Sequence, residues 1–152
     1  MLALPVIRLA APQHAQGIAE LSRDNIEHGL AWSWTAARVL HAIHEPSTNV
    51  AVVEKHNQVH AFGIMHYGDE AAHLALLAVD PAHRHQHMGA RLVAWLEQSA
   101  RAAGIQQIRL EARADNLAAI AFYQRLGFAQ SGRVTGYYEG ILDAVQFTKR
   151  LA

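Results

Sequence analysis

The sequence predicts a mixed α/β domain in which a central sheet is covered by helices on both faces. Three observations carry this expectation. Apolar spacing switches along the chain between a helical period and a strand period. An apolar strand, Ala72–Val79, runs through a short loop into an amphipathic helix, Met88–Ala103, and a second strand-to-helix junction follows at Gln107–Ala112 and Asn116–Leu126. The 152 residues are 51% apolar and 17% charged, the balance of one folded domain with a real core.

Each element has a local signature. Val6–Leu9 reads as a short opening strand, and Pro12–Asn25 carries Ala15, Ile18, Ala19 and Leu21 as a helix. Thr35–His44 predicts a second helix, with Thr35 as N-cap and Pro46 just past its end. The period then changes. Asn49–Lys55 and Val59–Tyr67 are β-rich runs joined as a hairpin at His56-Asn57-Gln58. Ala72–Val79 is nearly continuously apolar, the pattern of a strand buried on both faces. Met88–Ala103 sets Met88, Leu92, Val93, Leu96, Ala100 and Ala103 on one stripe and stops at Gly104. Gln107–Ala112 turns Ile108, Leu110 and Ala112 one way, and Asn116–Leu126 is a helix capped by Asn116 and stopped by Gly127. Phe128–Tyr138 and Ile141–Leu151 finish as two strands. No repeat, low-complexity tract or linker divides residues 1–152, so a single domain is expected.

Bulk composition narrows the function classes. The 13 basic and 13 acidic side chains cancel, which argues against a nucleic-acid partner, since phosphates select a basic excess. There are no cysteines, which excludes disulfides, thiolate metal sites and a cysteinyl acyl intermediate and fits a reducing cytoplasm. No apolar run approaches the roughly 18 to 20 residues of a membrane span, and no basic-then-apolar leader is evident. A soluble cytoplasmic protein without a membrane partner is the expectation. The sequence carries no signal for an oligomeric state.

Chemistry concentrates at the two junctions. The first ends in Asp80-Pro81-Ala82-His83-Arg84-His85-Gln86-His87-Met88-Gly89-Ala90, where the free N–H groups and dipole of a helix N-terminus favour an anion. The second places Asn116 and Tyr123 on one helix. Two such junctions side by side suit a phosphorylated cofactor with a phenol at its reactive end.

Over about residues 72–138 these motifs resemble the GCN5-related N-acetyltransferase superfamily. Arg84 and Gly89 fit its pyrophosphate-loop pattern Gln/Arg-x-x-Gly-x-Gly/Ala, while His87 stands where the inner glycine is expected. That glycine allows close backbone approach and an unusual φ. His87 is therefore expected either to take a normal helical φ or to strain the loop. Asn116, Ala119, Phe122, Tyr123, Gly127 and Phe128 fit the second signature, Asn-x-x-Ala-x-x-Phe-Tyr-x-x-x-Gly-Phe. Within the superfamily, Arg109–Tyr138 and the tail Tyr137-Tyr138-Glu139-Gly140 most resemble bacterial acetyltransferases that modify the N-terminal amine of a ribosomal protein.

The resemblance implies a mostly antiparallel sheet, acetyl-CoA as cosubstrate, and direct acetyl transfer to a primary amine, either a protein N-terminus or a small amine. It implies cofactor contacts from Leu77, Val79, Arg84, His85, Gln86, His87, Met88, Gly89, Ala90, Asn116, Ala119 and Phe122. A backbone N–H near Leu77 would meet the developing oxyanion if the third strand splays from Gln107–Ala112, as it does in the family. By resemblance, Tyr123 protonates the departing thiolate. A phenol near 10 is within reach of a thiol near 8.5. Its competing reading is a core aromatic with its hydroxyl at the surface.

Glu111 aligns with the glutamate proposed as base in the ribosomal-protein enzymes. A carboxylate with an ordinary pKa near 4 is a weak base, so it is expected to act through a water or with a raised pKa. The competing reading pairs it with Arg109 or Arg113. His73 is the second candidate base, because an imidazole suits neutral pH. Trp32 and Trp34, with Arg38, sit between the first helices, either contacting substrate or packing helix on sheet.

The 11 histidines raise the question of a metal. His83, His85 and His87 alternate, and His56 and His60 are four apart, but the start of a helix would spread the first set and no cysteine or acidic cluster accompanies it. No metal is expected. If His85 or His87 faces the pyrophosphate, its protonation tightens CoA binding as pH falls through about 6.5. His87 also keeps a rival open: a non-catalytic acyl-CoA-binding or regulatory module with the same fold.

Overall fold

The computed structural model describes residues 6–82 and 87–151. In chain order they form β1 (Ile7–Leu9), a 3-10 turn (Pro12–His14), α1 (Ala15–Asn25), α2 (Ala36–His44), β2 (Thr48–Lys55), β3 (Gln58–Tyr67), β4 (Ala71–Val79), α3 (Met88–Ala102), β5 (Gln107–Arg113), α4 (Leu117–Arg125), β6 (Ala129–Tyr138) and β7 (Leu142–Arg150). These are the elements the sequence patterns anticipate, with one difference at the start. The helix expected from Pro12 begins as a 3-10 turn, because the His14 ring accepts the Ala11 N–H at 2.8 Å. The same ring reaches Glu54 of β2 at 2.7 Å, which ties the turn to the sheet.

The seven strands run β1-β2-β3-β4-β5-β7-β6. Only β4 and β5 are parallel. The β2–β3 hairpin closes at His56 and Asn57, both left-handed at φ 54° and 63°, a two-residue turn whose twist matches the strands. Helices α1 and α2 cover one face, and α3 and α4 the other. Period-two alternation feeds both cores: Val50 and Val52 of β2 join the α1–α2 side, while Ala51 and Val53 join the α3–α4 side. Phe62, Ile64 and Ile18 anchor the first core, and Leu92, Leu96 and Phe147 the second, all fully buried. Each such side chain stabilises the fold by roughly 1.5–3 kcal/mol.

Two irregularities of β4 open the sheet. Ile64 pairs with Leu76 but Met65 pairs with Leu74, so Ala75 is an extra, bulged residue. The bulge rotates the strand: Leu74 packs in the α3–α4 core and Leu76 in the α1–α2 core, although regular alternation would put both on one face. In addition, β4 and β5 pair only from Ala71–Gln107 to Leu74–Leu110, while β4 continues to Val79 and β5 to Arg113. Beyond Leu74 the two strands part.

Helix α3 starts just after His87, which adopts φ 57° and ψ 26°. Of the two outcomes open to this residue, the left-handed one is realised. A side chain in that region costs about 1–2 kcal/mol relative to glycine. Substituting His87→Gly should therefore stabilise the chain by about 0.5–1 kcal/mol, after allowance for the looser unfolded state. Urea unfolding checks this, and a less stable variant would show that the imidazole, not the backbone, holds the loop.

Candidate active site

The gap between β4 and β5 opens a cleft of about 690 Å³. Leu74 to Val79 form one wall, and Glu111, Ala112 and Arg113 the other. On the α3–α4 side it is lined by Gly89, Asn116, Ala119, Phe122 and Tyr123. On the opposite side lie Glu27, Ser33, Trp34 and Arg38 of the α1–α2 region, with Tyr137, Tyr138 and Glu139 of the β6–β7 hairpin. Among the described residues, β4 beyond Leu74 has no strand partner on its β5 side. Between Ala75 and Ala78 the backbone on that edge borders the cleft, the condition an oxyanion donor near Leu77 needs.

At the α3 end, His87 is the N-cap and its side chain makes no capping hydrogen bond. By helix geometry the N–H groups of Met88, Gly89 and Ala90 have no intrahelical acceptor, Arg91 N–H being the first to bond back, to the His87 carbonyl at 3.1 Å, and no acidic side chain stands in that turn. Gly89 brings α3 against α4: a Cβ there would lie 3.0 Å from Phe122 Cζ. Asn116 caps α4, its Oδ1 accepting the Ala119 N–H at 3.0 Å. Of the residues expected to hold a cofactor, Leu77, Val79, Gly89, Asn116, Ala119 and Phe122 line the cleft. Met88 is instead buried in the α3 core, and neither His87 nor Ala90 is part of the lining. Arg84, His85 and Gln86, with His83, lie outside the described residues.

Tyr123 is at once a core residue and a cleft residue. Its ring packs edge-on against Phe122 and Phe128, with centroids 5.1 and 5.8 Å away, and tilted against Phe147 at 6.2 Å. Such packing fixes the rotamer and so the direction of the hydroxyl. Burial, with the neighbouring Tyr138 phenol adding, pushes its pKa well above the ordinary tyrosine value. The phenol is protonated at neutral pH, as an ordinary tyrosine is, and the shift makes it a weaker acid toward a thiolate than the value near 10 expected from the sequence.

Glu111 faces the cleft from β5, and its side chain is only 6% exposed. Its Oε1 lies 2.6 Å from His73 Nε2 and accepts the Tyr137 hydroxyl at 3.1 Å. Its Oε2 is 3.6 Å from the Arg109 guanidinium, while Arg113 bonds Asp115. Burial alone would raise the Glu111 pKa, but the hydrogen bond and charge of His73, then the Tyr137 bond and the Arg109 charge, outweigh it. The carboxyl is held below the ordinary carboxylate range. A raised pKa, one of the two routes expected for this residue, is thus not what the structure gives: partners stabilise the anion more than burial destabilises it. The two base candidates, Glu111 and His73, are one hydrogen-bonded pair.

The opposite wall is built around Glu27, which is buried. Its Oε1 accepts the Ser33 N–H at 2.8 Å and also the Ser33 hydroxyl, and its Oε2 accepts from Trp34 N–H at 3.2 Å and Ser22 Oγ at 3.3 Å. These bonds turn the α1–α2 loop so that Trp34 faces the cleft with the Arg38 guanidinium 3.8 Å above its ring. Trp32 does not line the cleft; it is exposed, with Arg23 5.3 Å from its ring. Two longer-range bonds hold the loop in place. Arg113 donates to the carbonyls of Ile26 and His28 at 3.3 and 2.7 Å, and Glu139 at the hairpin tip accepts the Ala31 N–H at 3.1 Å. Sequence reasoning assigned no role to Glu27, Tyr137 or Glu139. The only sequence signal at these positions was the Tyr-Tyr-Glu-Gly tail.

Comparison with known proteins is consistent with this geometry. The model of the Acetyltransferase (GNAT) family matches residues 15–128. The chain is 36% identical over 88 residues to the [ribosomal protein bS18]-alanine N-acetyltransferase of Escherichia coli K12, covering 56% of this chain and 60% of that one. It is 35% identical over 75 residues to N-alpha-acetyltransferase 30 of Schizosaccharomyces pombe, covering 49% of this chain and 50% of that one. The matched segments thus span only 60% and 50% of these relatives. The crystal structure of Ard1 from Thermoplasma volcanium superimposes with a TM-score of 0.86 at 24% identity, over 99% of both chains, a likeness of fold.

The depressed pKa of Glu111 makes a stability prediction. Its folded value lies below the unfolded value of about 4.3, so the ionised carboxylate stabilises the fold at every pH above that point. The contribution is lost as pH falls through the folded value. Glu111→Gln should therefore lower the urea midpoint most at neutral pH, and the difference should shrink as pH falls below about 5. A difference that widens on acidification would show that the carboxyl is protonated more readily in the fold than out of it.

Proposed function

The chain belongs to the GNAT acetyltransferase family, and from that membership we propose that it moves the acetyl group of acetyl-CoA directly to a primary amine. The observation that carries the reading is the opening where the β4–β5 ladder stops, with a buried Tyr123 on one side and Glu111 on the other. The residues present suit the cosubstrate. A helix N-terminus free of acidic side chains favours phosphates, and the opening lined by Leu77, Val79, Ala119 and Phe122 suits an apolar arm. Asn116 adds a polar amide beside it.

In this mechanism Glu111 takes a proton from the acceptor ammonium. The free amine attacks the thioester carbonyl carbon, forming the C–N bond, and charge develops on the carbonyl oxygen. Backbone N–H groups on the open edge of β4 stabilise that charge. As the C–S bond breaks, Tyr123 donates its proton to the sulfur, and the second proton of the nitrogen replaces it on the phenol. No acyl-enzyme step is used, since the chain has no cysteine.

The depressed Glu111 also bears on the acceptor. A weak base serves best with an amine that is already partly neutral. An α-amine has a pKa near 8 and a lysine one near 10.4, so a protein N-terminus is the favoured acceptor class and a small amine of low pKa the next. Both relatives named above are N-terminal or alanine N-acetyltransferases, which supports the same choice.

His87 supports the alternative, a non-catalytic acyl-CoA-binding module, because a side chain stands where the family pattern has glycine. Tyr123→Phe separates the two. An enzyme loses about 10²- to 10⁴-fold in kcat while its affinity for acetyl-CoA in calorimetry hardly changes. If the natural chain acetylates peptide N-termini and the variant does so equally fast, Tyr123 is not the acid.

A further inference from the structure

The acceptor side of the cleft carries charges of both signs, and nearly all of them are satisfied within the protein. Glu27 is filled by Ser22, Ser33 and Trp34, and Glu139 accepts the Ala31 N–H. Arg113 is held by Asp115 and by the carbonyls of Ile26 and His28. Glu111 has His73, Tyr137 and Arg109 around it. Arg38 is the exception on this side. Its guanidinium lies 3.8 Å from the centre of the Trp34 ring, and among the described residues its side chain enters no hydrogen bond or ion pair. Arg125, the other cleft-lining guanidinium without such a bond, is on α4, on the cosubstrate side.

Local structure does not account for this arginine. Arg38 is the third residue of α2, and a cation in a first turn faces the positive end of the helix dipole. A guanidinium can stack on an aromatic ring and still present its edge fork to a carboxylate. Arg38 also lies toward the Glu111 end of the acceptor wall. After burial and the charge of His73, its own charge helps to hold His66 below the ordinary histidine value. The His66 and His73 rings are 6.4 Å apart, and His73 Nε2 is 2.6 Å from Glu111 Oε1. One wall thus offers an anion to the acceptor ammonium and a cation to a negative group beside it.

We propose that Arg38 is a specificity-determining residue that selects peptide N-termini bearing a carboxylate, Asp or Glu, at the first or second residue, an inference that rests on the acetyl-transfer reading above. The α-ammonium of the acceptor points to Glu111, and its acidic side chain takes the Arg38 fork. Trp34 covers the guanidinium, so the pair is partly withdrawn from water. Such shielding lifts a forked, charge-assisted pair above an ion pair on open surface. A lysine or arginine at the same place meets a like charge and is disfavoured. The alternative is that Arg38 only holds Trp34 in place, in which case the acceptor's charge has no effect.

The experiment measures kcat/KM for peptide pairs that differ only in charge, Asp against Asn and Glu against Gln, at the first or second residue, with a Lys peptide beside each pair. The ratio within a pair is the readout, because it cancels any general loss of folding or rate. The natural chain should favour the acid about 5- to 30-fold at one of the two positions, and less so as salt is raised. Arg38→Gln should bring that ratio to about one, and Arg38→Glu should invert it, so that the Lys peptide outruns the Glu peptide. Arg38→Lys should keep part of the preference, since it retains the charge and loses the fork. A ratio near one in the natural chain, or a preference that Arg38→Gln leaves in place, overturns the proposal while acetyl transfer still stands. A natural chain that acetylates none of the peptides removes the underlying reading and the selectivity with it.

Discussion

Strands β4 and β5 are hydrogen-bonded partners from Ala71–Gln107 to Leu74–Leu110, and past that pair their ladder stops. A parallel sheet interior normally satisfies its backbone groups strand against strand. Here the Ala75 bulge rotates β4 at the point where pairing ends, so the strand keeps β3 on one edge and gives up β5 on the other. The two cores hold β4 from both faces, through Leu74 on one side and Leu76 on the other. The cleft, the unpaired edge of β4 and the separation of Tyr123 from Glu111 all stem from this break.

Polar groups around the opening are organised by two buried or nearly buried carboxylates. Glu27 collects donors from Ser22, Ser33 and Trp34 and so fixes the acceptor-side loop. Glu111 collects His73, Tyr137 and Arg109 and faces the reacting end. A buried anion is tolerated only when its lone pairs are filled, and each carboxylate fills them with residues from elements that have to be held together. Glu27 binds a loop to itself, whereas Glu111 joins β4, β5 and β6. Removing either would loosen the wall as well as the charge.

Much of this was legible in the sequence, for reasons of periodicity and capping. Thr35 and Asn116 bond the backbone of α2 and α4 as their positions predict, and the α4 signature places Asn116, Ala119, Phe122 and Tyr123 on the cleft. The bulge at Ala75 was not legible, because a strand apolar on both faces shows no change of period when it slips by one residue. The His73–Glu111 pair spans 38 residues of sequence and two strands, so either residue read alone was only a candidate base. Glu27 carries no sequence signal, since its partners are serines and backbone amides that form no motif. His87 was visible as a departure from the family loop, but which of the two backbone outcomes it takes was not.

The proposed chemistry depends on whether this opening binds an acyl-CoA despite a histidine at the loop position that favours glycine. Calorimetric titration of the full chain with acetyl-CoA at pH 7, with CoA for comparison, tests it most directly. A working site predicts micromolar binding, about −8 kcal/mol. Absence of binding at millimolar acetyl-CoA would contradict it and leave the fold without the cosubstrate on which the proposed chemistry depends.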